Sequence, residues 1–213
     1  MAENRQREQL IETPEGPGRV RIHSPDTPAQ GTVVLGHGAG GAGDSKDLAA
    51  LARALPEAGW VVALVDQPWR VAGRKIATRP PRLDAAFVPM MTELFATPAL
   101  PRPFVSAGRS AGARVACRTA AQVGADAVIA ISFPLHPPGR PARSRYGELA
   151  AAGEHGLPVW VVQGERDPFG TPEELRAAGW SEAALRTVRG THSPNPADTV
   201  AALTEILAEL PVL

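Results

Sequence analysis

The sequence predicts an α/β fold: a mostly parallel, twisted sheet with helices on both faces. Three observations carry this. Short apolar runs of roughly 4 to 8 residues alternate with segments of helical spacing, the order of a parallel sheet with crossover helices. The runs Thr32-Val33-Val34-Leu35, Trp60-Val61-Val62-Ala63-Leu64-Val65 and Val159-Trp160-Val161-Val162 are apolar almost throughout, as strands buried on both faces are. Glycine-rich turns, Gly36 to Gly41 and Gly108 to Gly112, follow the runs Thr32–Leu35 and Phe104–Ala107 and lead toward helical segments.

The elements follow in order. Residues 1–18 are polar, carry Pro14, Gly16, Pro17 and Gly18, and read as a flexible lead-in to a single domain at 19–213. Arg19 to Ser24 alternates as an edge strand does. After strand 32–35, Asp44 or Ser45 is placed to cap a helix from Lys46 to Ala58, stopped by Gly59. Strand 60–65 is followed by a long irregular loop, Asp66 to Pro81. A helix at Leu83–Ala96 comes next, with Pro89 expected to bend or break it. Phe104–Ala107 is a strand, Ala113–Cys117 helical, and Ala127–Ser132 a strand. A Pro- and Arg-rich loop with a short helix near Tyr146–Ala152 leads to strand 159–163. Thr171-Pro172-Glu173-Glu174 has the cap, first-turn proline and acids of a helix start. Leu185–Val188 is the last strand and Asp198–Leu210 the closing helix.

Composition narrows the function. The chain has 213 residues, 44% hydrophobic, enough for one substantial core, and no internal repeat or linker divides it. Formal net charge is zero, so no whole-chain field points to nucleic acid or a membrane surface. Cys117 is the one cysteine, which excludes an internal disulfide and a cysteine-rich metal site; its apolar setting reads as a buried core thiol. No apolar run approaches the ~20 residues of a membrane span, and Met1–Glu8 lacks an apolar leader, so a cytoplasmic location is expected.

Gly108-Arg109-Ser110-Ala111-Gly112, between a strand and a helix, has the context of a nucleophile elbow. Its turn lifts the Ser110 hydroxyl above the sheet edge, where a base can reach it. A serine hydroxyl is a weak nucleophile until a base takes its proton, and the base needs an acid to hold its tautomer. Asp167 follows strand 159–163 and His192 follows strand 185–188, in the order Ser, acid, His and at the same sheet edge. His23 and His37 precede the nucleophile, His155 sits in a polar loop, and His136 is near the site edge, suited to substrate contact or structure. Glu165 and Asp126 are weaker candidates for the acid, Asp126 because it precedes its strand. Gly36-His37-Gly38-Ala39-Gly40-Gly41 reads as an oxyanion loop, with the N–H of Ala39 joining that of Ala111 around a developing O⁻. The same segment spells G-x-G-x-x-G after a strand, with Asp66 at the end of the next strand. That is a dinucleotide reading, an NAD(P)- or flavin-dependent oxidoreductase. It leaves Ser110, Asp167 and His192 unused.

Together these residues resemble the α/β-hydrolase superfamily from about Arg19 onward. Gly108–Gly112, Phe133-Pro134-Leu135-His136-Pro137-Pro138-Gly139 and Gln163-Gly164-Glu165-Arg166-Asp167-Pro168-Phe169-Gly170 look like a compact lidless subfamily. That subfamily is similar to dienelactone hydrolases and to the testis-expressed and histone-acetyltransferase-complex hydrolase-like proteins. The resemblance implies an α/β-hydrolase fold without a cap domain, a catalytic triad of Ser110, Asp167 and His192, and a site rim built from the loops after strands 60–65 and 127–132.

The expected function is hydrolysis of a carboxylic ester or thioester of a small molecule through an acyl-serine, with no cofactor or metal. The alternatives are the oxidoreductase above and a non-catalytic interaction protein on a hydrolase fold. Trp69, Leu135 and Phe169 are candidates for an apolar acyl pocket, and Arg70, Arg109 and His136 for substrate contacts. Residues 69–82 carry Arg70, Arg74, Lys75, Arg79 and Arg82 without an acid, and the other rim loop carries Arg140, Arg143 and Arg145, which suggests an anionic substrate. No nucleic-acid or membrane partner is expected, and the sequence leaves the oligomeric state open.

Overall fold

The computed structural model describes residues 6–40, 43–96 and 100–210. Eight strands form one sheet: β1 (Gln6–Ile11), β2 (Gly18–His23), β3 (Gly31–Gly36), β4 (Trp60–Asp66), β5 (Phe104–Arg109), β6 (Ala127–Ile131), β7 (Val159–Gly164) and β8 (Leu185–Val188). Their spatial order is β1-β2-β4-β3-β5-β6-β7-β8. β1 pairs antiparallel with β2 and β2 with β4; every pairing from β4 to β8 is parallel. The helices are α1 (Lys46–Glu57), α2 (Pro68–Val71), α3 (Pro80–Leu94), α4 (Ala111–Thr119), α5 (Tyr146–Glu154), α6 (Pro172–Ala177) and α7 (Pro196–Glu209).

Side-chain alternation sorts the core into two layers, one on each face of the sheet. On one face Val33, Leu35, Val62, Leu64, Ile129 and Ile131 pack under Leu48, Leu51 and Leu55 of α1 and Leu203 and Ile206 of α7. On the other, Val34, Val61, Ala63, Val128 and Ala130 meet Phe87 and Met90 of α3, Val115 of α4 and Leu149 of α5. This is why the central strands read as continuous apolar runs: both of their faces are covered.

The topology also fixes where a site can form. From β3 the chain moves to one side, to β4, and then returns to the other side of β3 as β5. The loops after β3 and β5 therefore diverge at a topological switch point, where open α/β sheets leave a crevice.

Four expectations change. The lead-in is not loose where it is described: Gln6–Ile11 forms β1, hydrogen-bonded along β2. Only Ile11 of this strand is buried, so it carries little apolar pattern and is held by backbone pairing. Residues 1–5, 41–42, 97–99 and 211–213 lie outside the described residues, Gly41 of the glycine-rich loop among them. The loop 66–81 contains the short helix α2, with Pro68 in its first turn. Pro89 stays inside α3, because Ala86, Phe87, Met90, Met91 and Leu94 bury one face on both sides of it, and packing outweighs the lost hydrogen bond. Ser45 occupies the cap position of α1 without a side-chain cap bond, while Asp44 turns away to Arg21, with oxygen–nitrogen distances of 2.8 Å.

Candidate active site

The site begins with a backbone constraint. Ser110 has φ 56° and ψ −110°, a conformation costing a non-glycine residue about 1–3 kcal/mol. The surrounding packing holds it there. Its N–H donates to Ile131 O at 3.0 Å, and α4 starts at once with Ala111. The elbow glycines are required by close approach: a Cβ on Gly108 would lie 2.5 Å from Gly112 C, and one on Gly112 would lie 2.5 Å from Gly36 C. α4 thus leaves the sheet directly over β3 and β5, and Ser110 stands at the mouth of the switch-point crevice.

The three residues from β5, β7 and β8 converge. His192 Nε2 is 2.9 Å from Ser110 Oγ, and its Nδ1 is 2.9 and 3.1 Å from the two oxygens of Asp167. Opposite a carboxylate, Nδ1 is the donor, which leaves Nε2 to accept from the serine hydroxyl. Asp167 is fully buried and its oxygens are all in use. Oδ1 accepts the Phe169 N–H at 2.9 Å and Oδ2 accepts from Gln163 Nε2 at 3.1 Å. Gln163 Nε2 also donates to Gly170 O at 2.7 Å and approaches Phe133 O at 3.2 Å. Gln163 therefore ties the Asp167 turn to β7 and to the loop after β6.

The loop after β3 is held by His37, which is buried. Its Nδ1 donates to Gly38 O at 2.7 Å and its Nε2 accepts the Gln67 N–H at 3.1 Å. Burial pushes this imidazole down to about 4, so it is neutral at physiological pH. Because a trans peptide sets its N–H opposite its carbonyl, the bond to Gly38 O turns the Ala39 N–H away from the His37 ring. Ala111, first in α4, has its N–H outside the helical ladder. His37 also packs edge-on against Trp69, ring centroids 5.2 Å apart. A pocket of about 10 Å³ lies among His37, Gly38, Trp69, Phe87, Ala111 and Val115.

The dinucleotide reading loses its acidic residue here. Asp66 is buried and saturated by arginines, with Arg19 Nη2 at 2.7 Å, Arg70 Nη1 at 3.4 Å and Arg21 Nε at 3.6 Å. α1 starts only at Lys46, well past the glycines that would have to open it.

Of the expected substrate contacts, Trp69 alone lines the pocket beside the elbow. Arg70 is turned into the ion pairs with Asp66 and Asp44. Leu135 is buried in the core, its Cβ 2.6 Å from where a Gly170 Cβ would stand. His136 bridges Glu174 Oε1, at 3.1 Å, and Pro137 O, at 2.9 Å, holding its loop to α6. Phe169 lies on the His192 ring, centroids 4.2 Å apart, and packs on the imidazole. Arg109 turns away from the mouth toward the His192 loop and Asp47. Arg70, Leu135 and His136 sit on the two rim loops, Phe169 follows β7 and Arg109 closes β5, yet side-chain direction decides contact, and the neighbours that set it are distant in sequence. Gln163 and Asp47 were missed. The available cue for Gln163 was a lone polar residue closing an apolar strand four residues before Asp167.

Sheet order, switch point and strained serine elbow define the α/β-hydrolase class. A family model described as an alpha/beta hydrolase domain matches residues 29–202, and the chain belongs to that family. A comparison with curated proteins finds no match. Among solved structures, a lidless α/β serine hydrolase from Xanthomonas campestris is 20% identical over 100% of this chain and 99% of its own, with TM-score 0.72. An α/β serine hydrolase homologue from Coxiella burnetii is 18% identical over 97% and 98%, with TM-score 0.71. The esterase domain of a Rhodothermus marinus protein is 16% identical over 96% of both chains, with TM-score 0.67. At such identities the likeness is one of fold. Among the described residues no helix is long and apolar enough to cross a membrane.

Proposed function

We propose that this protein is a serine hydrolase cleaving carboxylic ester or thioester bonds of small, anionic substrates through an acyl-Ser110 intermediate. The observation that carries the reading is the hydrogen-bonded relay from Ser110 Oγ to His192 to buried Asp167, with 2.9 Å at both links. In this reading His192 Nε2 takes the Ser110 proton as Oγ attacks the carbonyl carbon. The N–H groups of Ala39 and Ala111 receive the oxyanion; one such donor is worth about 3–4 kcal/mol of barrier. Collapse expels the alcohol or thiol, which leaves with the proton from His192. Water, deprotonated by His192, then attacks the acyl carbon, and Ser110 regains its proton. The narrower likeness to dienelactone hydrolases belongs to this proposal and rests on the three sequence segments and the lidless architecture.

Substrate class follows from the rim. The small pocket beside Trp69 has room for about one water-sized group, which favours a short acyl chain. Arg82 is paired with Glu15, and Arg145 Nη1 donates to Pro134 O at 3.0 Å, so they join Arg70 as structural cations. Arg74, Lys75, Arg79, Arg140 and Arg143 are exposed and outside the ion pairs of the described residues. They lie on the loops after β4 and β6, which flank the switch point on either side. Unbalanced positive charge on both rims raises the local concentration of an anion.

A fluorophosphonate probe tests the chemistry: it should label wild type and not Ser110→Ala, which should also lose turnover on the ~10⁶ scale of such residues. Labelling of both proteins, or of neither, refutes the nucleophile. A neutral and a carboxylate-bearing ester of the same acyl group test the rim. The anionic ester should show the higher kcat/KM at low salt, with the advantage shrinking as salt rises. Equal rates at both salt levels remove the anionic preference.

A further inference from the structure

We infer that Arg109, the residue before the nucleophile, is a positioning residue that holds the His192 loop in register with Ser110. The inference rests on the serine hydrolase reading. Arg109 closes β5, paired with Ile131 across the sheet, so its backbone is as fixed as the elbow itself. Its side chain crosses to the loop after β8. Nη2 donates to His192 O at 2.6 Å and to Ser193 Oγ at 3.2 Å. Nε stands 3.1 Å from Asp47 Oδ2, an ion pair without hydrogen-bond geometry, and Asp47 is 3% exposed in the first turn of α1. Nη1 fills the space over Gly38, where a Cβ would come within 3.2 Å of it. One guanidinium thus touches the oxyanion loop, the base loop and α1, and it starts one residue from the nucleophile.

The base loop needs this hold. β8 is a four-residue edge strand, so one side of its loop has no strand to lean on. Besides the bond between His192 Nε2 and Ser110 Oγ, the loop's other ties run to itself, to the Asp167 turn and, through Arg189, to Asp198 of α7: Gly190 bridges Pro194, Asn195 N donates to Arg189 O at 2.8 Å, Arg166 N to Gly190 O at 3.0 Å, and Arg189 Nε to Asp198 Oδ2 at 2.7 Å. These fix His192 relative to Asp167. The bond from Arg109 to the carbonyl of His192 adds a backbone anchor, starting one residue from Ser110, to the side-chain bond between His192 Nε2 and Ser110 Oγ. A proton relay tolerates a misplacement of about 0.5 Å, and about 1 Å costs on the order of 10²-fold in rate. A guanidinium suits the task because its planar fork serves acceptors in two directions, whereas an ammonium is a point charge on a flexible stem.

The test uses Arg109→Met, Arg109→Lys and Asp47→Asn in the full chain, with circular dichroism and melting to confirm folding. Arg109→Met should lower kcat by about 10- to 100-fold and slow phosphonylation of Ser110 in parallel, with KM within about twofold. Arg109→Lys should recover part of kcat, and Asp47→Asn should show a smaller loss of the same kind. A rise in KM with kcat intact would make Arg109 a substrate contact and overturn the inference, as would wild-type kcat in Arg109→Met. If Arg109→Met does not fold, wild-type kcat in both remaining variants overturns it. If wild type itself is not labelled, the hydrolase reading fails separately. The clamp is then read from amide hydrogen exchange, which should speed up at residues 190–193 in Arg109→Met; unchanged exchange overturns it.

Discussion

Lowering the pH should destabilise the fold through His37, by an amount the structure sets. His37 Nε2 accepts the Gln67 N–H and its Nδ1 donates to Gly38 O, so a second ring proton would face a donor. Burial is the main cause that holds the group at about 4, against 6.5 for an exposed imidazole. Between those values the unfolded chain binds a proton that the folded chain does not. Stability from this group is therefore complete above about pH 6.5, falls as pH drops from there to about 4, and falls no further below. At about 1.4 kcal/mol per tenfold in proton affinity, the loss is about 3 kcal/mol. Other groups titrate in the same range, so the measurement is a difference. Urea unfolding of wild type and His37→Asn is followed from pH 7.5 to 4. His37→Asn should be the less stable at pH 7.5, having lost a buried hydrogen bond, and the gap should narrow by about 3 kcal/mol by pH 4. Parallel curves would show that His37 is not held neutral, and its role in orienting the Gly38–Ala39 peptide would fall with it.

Two other outcomes follow from the buried groups. Asp167→Asn keeps the shape of the turn but offers the amide N–H toward Nδ1, favouring the wrong imidazole tautomer; kcat should fall about 10⁴-fold in a steady-state ester assay. Cys117 is fully enclosed and burial pushes its thiol up to about 12, so a thiol reagent at pH 8 should react at the rate of global unfolding and at once in denaturant.

The Ser110, Asp167 and His192 arrangement was legible because each residue follows the carboxyl end of a strand, and parallel strands put their carboxyl ends at one edge. The local sequence therefore contained the long-range geometry. Gly108 and Gly112 were legible for the same reason: an elbow between strand and helix leaves no room for a Cβ. β1 was not, because an edge strand with one buried residue leaves no period in the sequence.

Sequence by itself determined the layer architecture, the chain order of Ser110, Asp167 and His192, and the edge at which they meet, since all three follow from local pattern and strand polarity. Tertiary structure alone decided which polar side chains serve that site. Arg70 and His136, expected at the mouth, are consumed by Asp66, Asp44 and Glu174, while Arg109 is drawn to Asp47 and the His192 carbonyl. A charged side chain goes to whichever opposite charge or carbonyl the packed elements bring within about 3 Å, and those partners come from distant parts of the chain.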